Sequence, residues 1–234
     1  PPPPTTRLNC RRQRQMCIRD RIRIALVDDH DLFRAGVRSI LDTQEGMVVV
    51  GEFASGEEAI KAVRADPPDL VLMDVNMPGI GGIEATRKIL QFAPDVRIIA
   101  VTVLSEEPFP NQLLDAGARG YLSKGSSSEE MFEAIRAVMR GQHYISREIA
   151  QKLTLASFRN RGESSPLSTL SAREMQIMLM ITRGQGTQQI SDSLFLSPKT
   201  VSTYRHRLYE KLDVSNDVEL THLAMRHGLV ENAQ

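Results

Sequence analysis

Between residues 22 and 140 the chain switches five times from a short, branched apolar run to a longer stretch with apolar positions at helical spacing. That alternation leaves few folds open. Apolar runs cover 22–27, 47–51, 69–73, 96–101 and 120–122, and helical patterns cover 32–41, 56–64, 82–92, 111–116 and 129–140. Runs apolar at nearly every position belong to strands buried on both faces, and a strand returning parallel to its predecessor needs a helix to carry the chain back. The expected unit is α/β: a five-stranded parallel sheet, (βα)5, with helices on both faces. In such sheets the ligand crevice lies beyond the carboxyl ends of the strands.

The polar residues at those ends are therefore expected to converge. Asp28 and Asp29 follow the first run, Asp74 the third, Thr102 the fourth, and Lys124 lies just past the fifth. Taken singly, a strand-end aspartate caps a helix and a lysine is a solvated charge. Together the five describe a site. Three adjacent carboxylates repel one another unless a cation neutralises them, and hard oxygen donors with a phosphate partner suit Mg2+. Lys124 would supply a point charge to an incoming phosphoryl oxygen, and Thr102 a hydroxyl.

A second unit follows. Ser171-x-x-Glu174 is a capping box opening a helix that Gly184 stops, and 187–194 forms a short helix with Thr187 as its expected N-cap. A tight turn leads into 197–212, SPKTVSTYRHRLYEKL, with Ser197 at the N-cap and Pro198 at the first helical position. Val201, Tyr204, Leu208 and Leu212 share one stripe of that helix; Lys199, Ser202, Thr203 and His206 lie opposite, flanked by Arg205 and Arg207. Two helices so joined form a helix-turn-helix, whose second helix lies in a DNA major groove. Ser202, Thr203 and His206 would face base edges. Lys199, Thr200, Arg205, Arg207 and the first turn of the shorter helix, with Thr187 and Gln188, would face the backbone. A module that packs on protein instead remains the alternative, since 29 basic side chains are balanced by 29 acidic ones and no overall basic excess advertises nucleic acid. A final helix is expected at 217–226, any surplus of its apolar stripe being a dimer surface.

Residues 1–20 are Pro-rich, then Arg-rich, without hydrophobic period, and read as a disordered, non-native leader resembling translated adaptor or vector sequence. Both cysteines, Cys10 and Cys17, fall there, which fits a reducing, cytoplasmic setting. No apolar run approaches the roughly 20 residues that span a bilayer, so no membrane partner is expected. The expected division is an α/β unit at 21–140, a linker at 141–167 that is helical over 147–158 and flexible over 159–168, and a helix-turn-helix unit at 168–234.

Val27-Asp-Asp29, Met73-Asp-Val-Asn-Met-Pro-Gly79, Val101-Thr102 and Gly120-Tyr-Leu-Ser-Lys124 resemble the receiver domain of two-component response regulators. Leu170-Ser-Ala-Arg-Glu174, Ile190, Leu196-Ser-Pro-Lys-Thr-Val201 and Tyr209-Glu-Lys-Leu212 resemble the four-helix LuxR-type DNA-binding domain. The pair is similar to the NarL/FixJ class, and Glu107-Pro-Phe-Pro110 with Ser197-Pro-Lys-Thr-Val201 points to its GacA/UvrY branch. The resemblance implies that Asp74 is the phosphoacceptor, that Asp29 and Asp74 hold Mg2+ directly, Asp28 through water and Asn76 through its backbone carbonyl, and that Thr102 and Tyr121 are a switch pair. It also implies a sensor histidine kinase of BarA/GacS type as phosphodonor, promoter DNA as target, homodimerisation on phosphorylation, and a transcription factor rather than an enzyme. A phosphohydrolase of the haloacid dehalogenase type would want a second Asp where Asn76 stands. Tyr204 replaces a common His, fitting the buried stripe but needing a partner for its hydroxyl; Gly125 replaces a common Pro, which leaves the adjoining turn less constrained without touching the chemistry. Phosphorylation is expected to draw Thr102 inward, let Tyr121 enter the vacated space, shift the surface at 105–116 and make the DNA-reading helix available.

Overall fold

The computed structural model describes residues 21–102, 109–151, 154, 166–227 and 229. The leader, the Glu107 part of the branch signature and most of the expected linker helix and flexible stretch lie outside them.

The first unit runs β1 (Ile22–Val27), α1 (Asp31–Asp42), β2 (Met47–Phe53), α2 (Gly56–Ala65), β3 (Leu70–Asp74), α3 (Gly81–Phe92), β4 (Arg97–Thr102), α4 (Phe109–Asp115), β5 (Gly120–Ser123) and α5 (Ser128–Met139). All pairings are parallel, in the order β2-β1-β3-β4-β5, and a short β6 (Tyr144–Ile145) adds a sixth strand beside β5. This corrects the five-strand expectation. Two residues are too few to show a strand pattern, but Tyr144 N donates to Arg119 O at 3.0 Å and Ser146 N to Tyr121 O at 3.0 Å.

Alternate strand residues serve opposite faces, as the period of two requires. Ile24, Leu26, Leu70 and Leu72 pack against Val37 and Leu41 of α1 and Met131, Ile135 and Val138 of α5. Ala25, Val27, Val71 and Met73 pack against Ala59 and Val63 of α2 and Ala85 and Ile89 of α3. The order reverses between β1 and β3, so the crevice opens where Asp28 and Asp74 emerge.

The second unit begins with a 3-10 turn (Pro166–Thr169) and continues α6 (Ala172–Thr182), α7 (Thr187–Leu194), α8 (Pro198–Leu212) and α9 (Asp217–Arg226). Helix α6 is buried nearly all round through Met175 and Ile177 to Ile181, because α8 and α9 cover one side and the receiver the other. Its capping box forms as expected: Ser171 Oγ accepts from Glu174 N, and the Glu174 carboxylate accepts from Ser171 N at 2.8 Å. Ser197 caps α8, and Asn216 Oδ1 accepts from Val218 N and Glu219 N, both at 3.0 Å, to cap α9. Gly186, not Thr187, is the N-cap of α7; Gln189 Oε1 accepts from its N–H at 2.9 Å.

The two units touch through the loop between β3 and α3. Gly79 N donates to Ser193 O at 3.0 Å, Gln176 Nε2 to Met77 O at 2.8 Å, and Arg173 Nη1 to Gly79 O at 2.5 Å while its Nη2 holds Leu194 O at 2.9 Å. Gly79 has φ +74°, and a Cβ there would meet the Glu57 carboxylate at 2.4 Å, so the turn that presents both its backbone groups requires glycine. A second contact joins Gln112 Nε2 of α4 to Leu170 O at 2.9 Å.

Candidate phosphoacceptor pocket and nucleic-acid interface

Asp74 ends β3 at 2% exposure, and Asp28 follows β1 at 3%. Between them lies the Lys124 ammonium, 2.7 Å from Asp28 Oδ2 and 2.9 Å from Asp74 Oδ2, delivered by the turn after β5 and held in register where Lys124 N donates to Thr102 O at 2.9 Å. The Phe33 ring of α1 lies 4.8 Å from Nζ and adds a cation–π contact. Burial lifts the Asp74 carboxyl above the usual carboxylate range; Lys124 opposes this and Asp28 reinforces it. For Lys124, burial pulls down, but the hydrogen bond to Asp28 and the charge of Asp74 outweigh it and hold the ammonium firmly protonated.

Candidate ligand atoms from Asp28, Asp29, His30 and Asp74 lie within 4.8 Å of one another. Three carboxylates against one ammonium leave two negative charges uncompensated, and the donors are mainly hard oxygens, which fits Mg2+. Asn76 is brought alongside, its N–H donating to Asp74 Oδ1 at 3.2 Å. His30 was not foreseen; its Nδ1 lies 3.1 Å from Asp28 and 3.0 Å from Asp29. Its place directly after the two aspartates was the available signal.

Thr102 is fully buried at the end of β4. Tyr121 is 1% exposed, and burial together with the Asp74 charge raises its phenol well above the ordinary value. The expected inward movement of Tyr121 thus meets a ring already inside. Residues 105–108 of the surface expected to shift lie outside the described residues.

On α8, Lys199, Ser202, Thr203, His206 and Arg207 are exposed on one face, as is Gln188 on α7. Ser202 and Thr203 donate back to Pro198 O and Lys199 O, both at 3.0 Å, and Thr200 shares a 2.8 Å hydrogen bond with Ser197. Arg205 departs from its expected place on a phosphate. It is half-buried, donating from Nη1 to Thr187 Oγ1 at 3.0 Å and pairing through Nη2 with Asp217 at 3.0 Å. Tyr209 completes the tie, its hydroxyl donating to Asp217 at 2.5 Å; burial, then Asp217, pushes its pKa up to about 12. Arg205 therefore fastens α7, α8 and α9 together. Among the described residues, the receiver leaves the reading face exposed.

A buried aspartate and lysine at the switch point of a parallel sheet, attached to a capped helix-turn-helix, define a signalling receiver coupled to a DNA-binding module. Residues 24–136 match the response regulator receiver domain, and residues 168–224 the family of bacterial regulatory proteins, luxR family. The chain is 56% identical over 210 residues to the response regulator GacA of Pseudomonas viridiflava, covering 90% of this chain and 98% of that one. It is 54% identical over 208 residues to the response regulator UvrY of Escherichia coli (strain K12), covering 89% and 95%. The chain belongs to the response regulators with a LuxR-type DNA-binding domain, which are phosphorylation-regulated transcription factors. Among solved structures, response regulator ChrA of a heme-sensing two-component system is 32% identical with TM-score 0.51, covering 90% of this chain and 100% of that one. RcsB of Salmonella typhimurium, at 23% identity and TM-score 0.69 over 88% and 98%, shares the fold.

Proposed function

We propose that this protein, in the cytoplasm, receives a phosphoryl group on Asp74 from a sensor histidine kinase of the GacS/BarA type and, as a homodimer, binds promoter DNA through α8. The observation that carries the phosphoacceptor reading is the pairing of a nearly inaccessible Asp74 with Lys124 at 2.9 Å beside Asp28. Burial strips the carboxylate of competing water, and the ammonium holds one oxygen so that the other is left to attack. An Asp74 oxygen forms the new P–O bond as the P–N bond of a phosphohistidine breaks, and the leaving imidazole nitrogen takes up a proton. Lys124 is placed to follow the phosphoryl oxygens. Asp29, Asp74 and the Asn76 carbonyl would hold Mg2+ directly and Asp28 through water; the ion would supply positive charge that keeps the carboxylates ionised and offsets the phosphoryl group. Thr102 and Tyr121 would sense the new charge. On DNA, Lys199 and Arg207 with the α7 N-terminus would take phosphates, and Ser202, Thr203 and His206 base edges.

The test is incubation with acetyl phosphate and Mg2+ followed by intact-mass measurement. Wild type gains one phosphate and Asp74→Ala gains none. A phosphorylated Asp74→Ala protein would reject Asp74 as the site.

A further inference from the structure

One polar contact between the two halves reaches closer to the nucleophile than the others, and it comes from a residue with no role in the reaction as derived above. Arg183 is the C-cap residue of α6, in the DNA-binding unit. With the Asn76 amide oriented so that its oxygen faces the guanidinium, Arg183 Nη1 and Nη2 donate to it at 3.0 and 2.9 Å. Asn76 is two residues past Asp74 and donates its backbone N–H to the Asp74 carboxylate at 3.2 Å. One exposed side chain of the DNA-binding unit is thus a single residue removed from the phosphoacceptor. The loop it grips is the one whose other turns are held by Gln176 and Arg173.

We propose that Arg183 is a positioning residue for phosphoryl acceptance: its forked bond to Asn76 restrains the loop beside Asp74 in an arrangement that opposes Mg2+ binding, so the docked DNA-binding unit slows its own activation. This rests on the phosphoacceptor reading. Two effects act in the same direction. A guanidinium is always charged, and at the mouth of an acidic pocket it takes up part of the negative potential that would attract a divalent cation. The fork also fixes the Asn76 side chain, and through it restricts the mobility of the backbone whose carbonyl would hold the cation. Because such coupling is reciprocal, whatever loads the pocket must loosen the grip of Arg183 on the loop by the same factor.

Full-length wild type, Arg183→Ala, Arg183→Lys, Asn76→Ala and the Arg183→Ala/Asn76→Ala pair provide the test. Mg2+ affinity is measured by isothermal titration calorimetry, and the rate of phosphate gain from phosphoramidate by intact mass. Arg183 is exposed, so its truncation leaves the fold in place. The expected result is an Mg2+ Kd lowered by about fivefold in Arg183→Ala, with faster phosphate gain. Asn76→Ala should reproduce the change and the double variant add nothing to it. Lysine, which carries the charge without the fork, should restore the wild-type values only in part. Equal Kd and rate in wild type and Arg183→Ala overturn the inference while leaving the phosphoacceptor reading intact, as does additivity in the double variant or complete restoration by lysine. If wild type gains no phosphate, the underlying reading fails instead.

Discussion

Two glycine-to-alanine substitutions should move stability in opposite directions. Gly82 lies in the first turn of α3, and a Cβ there would stand 1.9 Å from the Asp74 carbonyl oxygen and 2.8 Å from both the Asp74 carbonyl carbon and the Val75 Cα. An ordinary carbon–oxygen contact needs about 3.3 Å, so loop and helix would have to part by roughly 1.4 Å. Both sides are backbone, and Gly82 N donates to Val75 O at 3.0 Å, so no side chain can swing away to relieve the clash. Overpacking costs typically about 1–3 kcal/mol, and with nothing flexible to yield the upper figure applies. Gly36, in the exposed middle of α1, has nothing within 4 Å of its added Cβ. There alanine recovers the helix propensity glycine lacks, about 0.5–1 kcal/mol. The two variants should therefore differ by about 3.5–4 kcal/mol, a large share of the stability of a small domain. The chain has no Trp, so urea unfolding is followed by far-UV circular dichroism. Gly82→Ala should lower the midpoint and Gly36→Ala raise it. Phosphate gain should fall steeply in Gly82→Ala alone, since about 1 Å at a reacting group is worth about 100-fold. A Gly82→Ala midpoint at or above wild type would show that the loop does not lie against α3 as described.

Acid should weaken the DNA-binding unit through Glu174. Burial raises this carboxyl, but Lys211 at 2.8 Å and the Ser171 amide and hydroxyl outweigh that and set it below the usual glutamate value. The folded value is the lower one, so its contribution is complete above the ordinary glutamate range and is lost as pH falls through the folded value. Glu174→Gln should cost about 1–2 kcal/mol at pH 7 and progressively less on acidification; a cost that does not change with pH refutes the ion pair. Lys199→Ala should flatten the dependence of DNA affinity on salt by about one logarithmic slope unit per protomer. Arg205→Ala should instead lower the melting temperature of the helix-turn-helix unit. If it flattens the salt slope without that loss, Arg205 contacts phosphate and the tie to Thr187 and Asp217 is incidental.

What could be read from the residues, and what could not, divides along a physical line. The alternation of apolar runs specifies the parallel sheet because both-face burial demands it, and strand ends then place Asp28, Asp74, Thr102 and Lys124 with no further information. Caps at Ser171 and Ser197 were visible because a short side-chain oxygen at the start of a helix has one favourable use. The contact between the halves was hidden for the opposite reason. Most of its acceptors are main-chain oxygens, those of Met77, Gly79, Leu170 and Ser193, which any residue provides, and its side-chain donors Arg173, Gln176 and Gln112 read as ordinary polar positions on helix surfaces. The apolar stretch from Ile177 to Ile181 did hold a trace of it, being wider than one packed face requires. Arg205 misled because charge pattern alone assigns an arginine on a DNA-reading helix to phosphate, and only the fold brings Asp217 within 3.0 Å of it.

The same division bears on how the switch works. A reading helix kept silent by burial would show its base-facing side chains covered, yet Ser202, Thr203 and His206 are exposed while the receiver is docked. What the receiver holds is α6 and the last residues of α7, through Arg173, Gln176 and Ser193. The turn between α7 and α8 starts from those residues, with Phe195 in the left-handed conformation at φ 52°. Docking therefore sets where the reading face points, not whether it meets solvent. Two half-sites on a duplex demand one relative placement of two such faces. A receiver that fixes the direction of each face can thus control recognition of a paired site while every base-reading side chain stays in water.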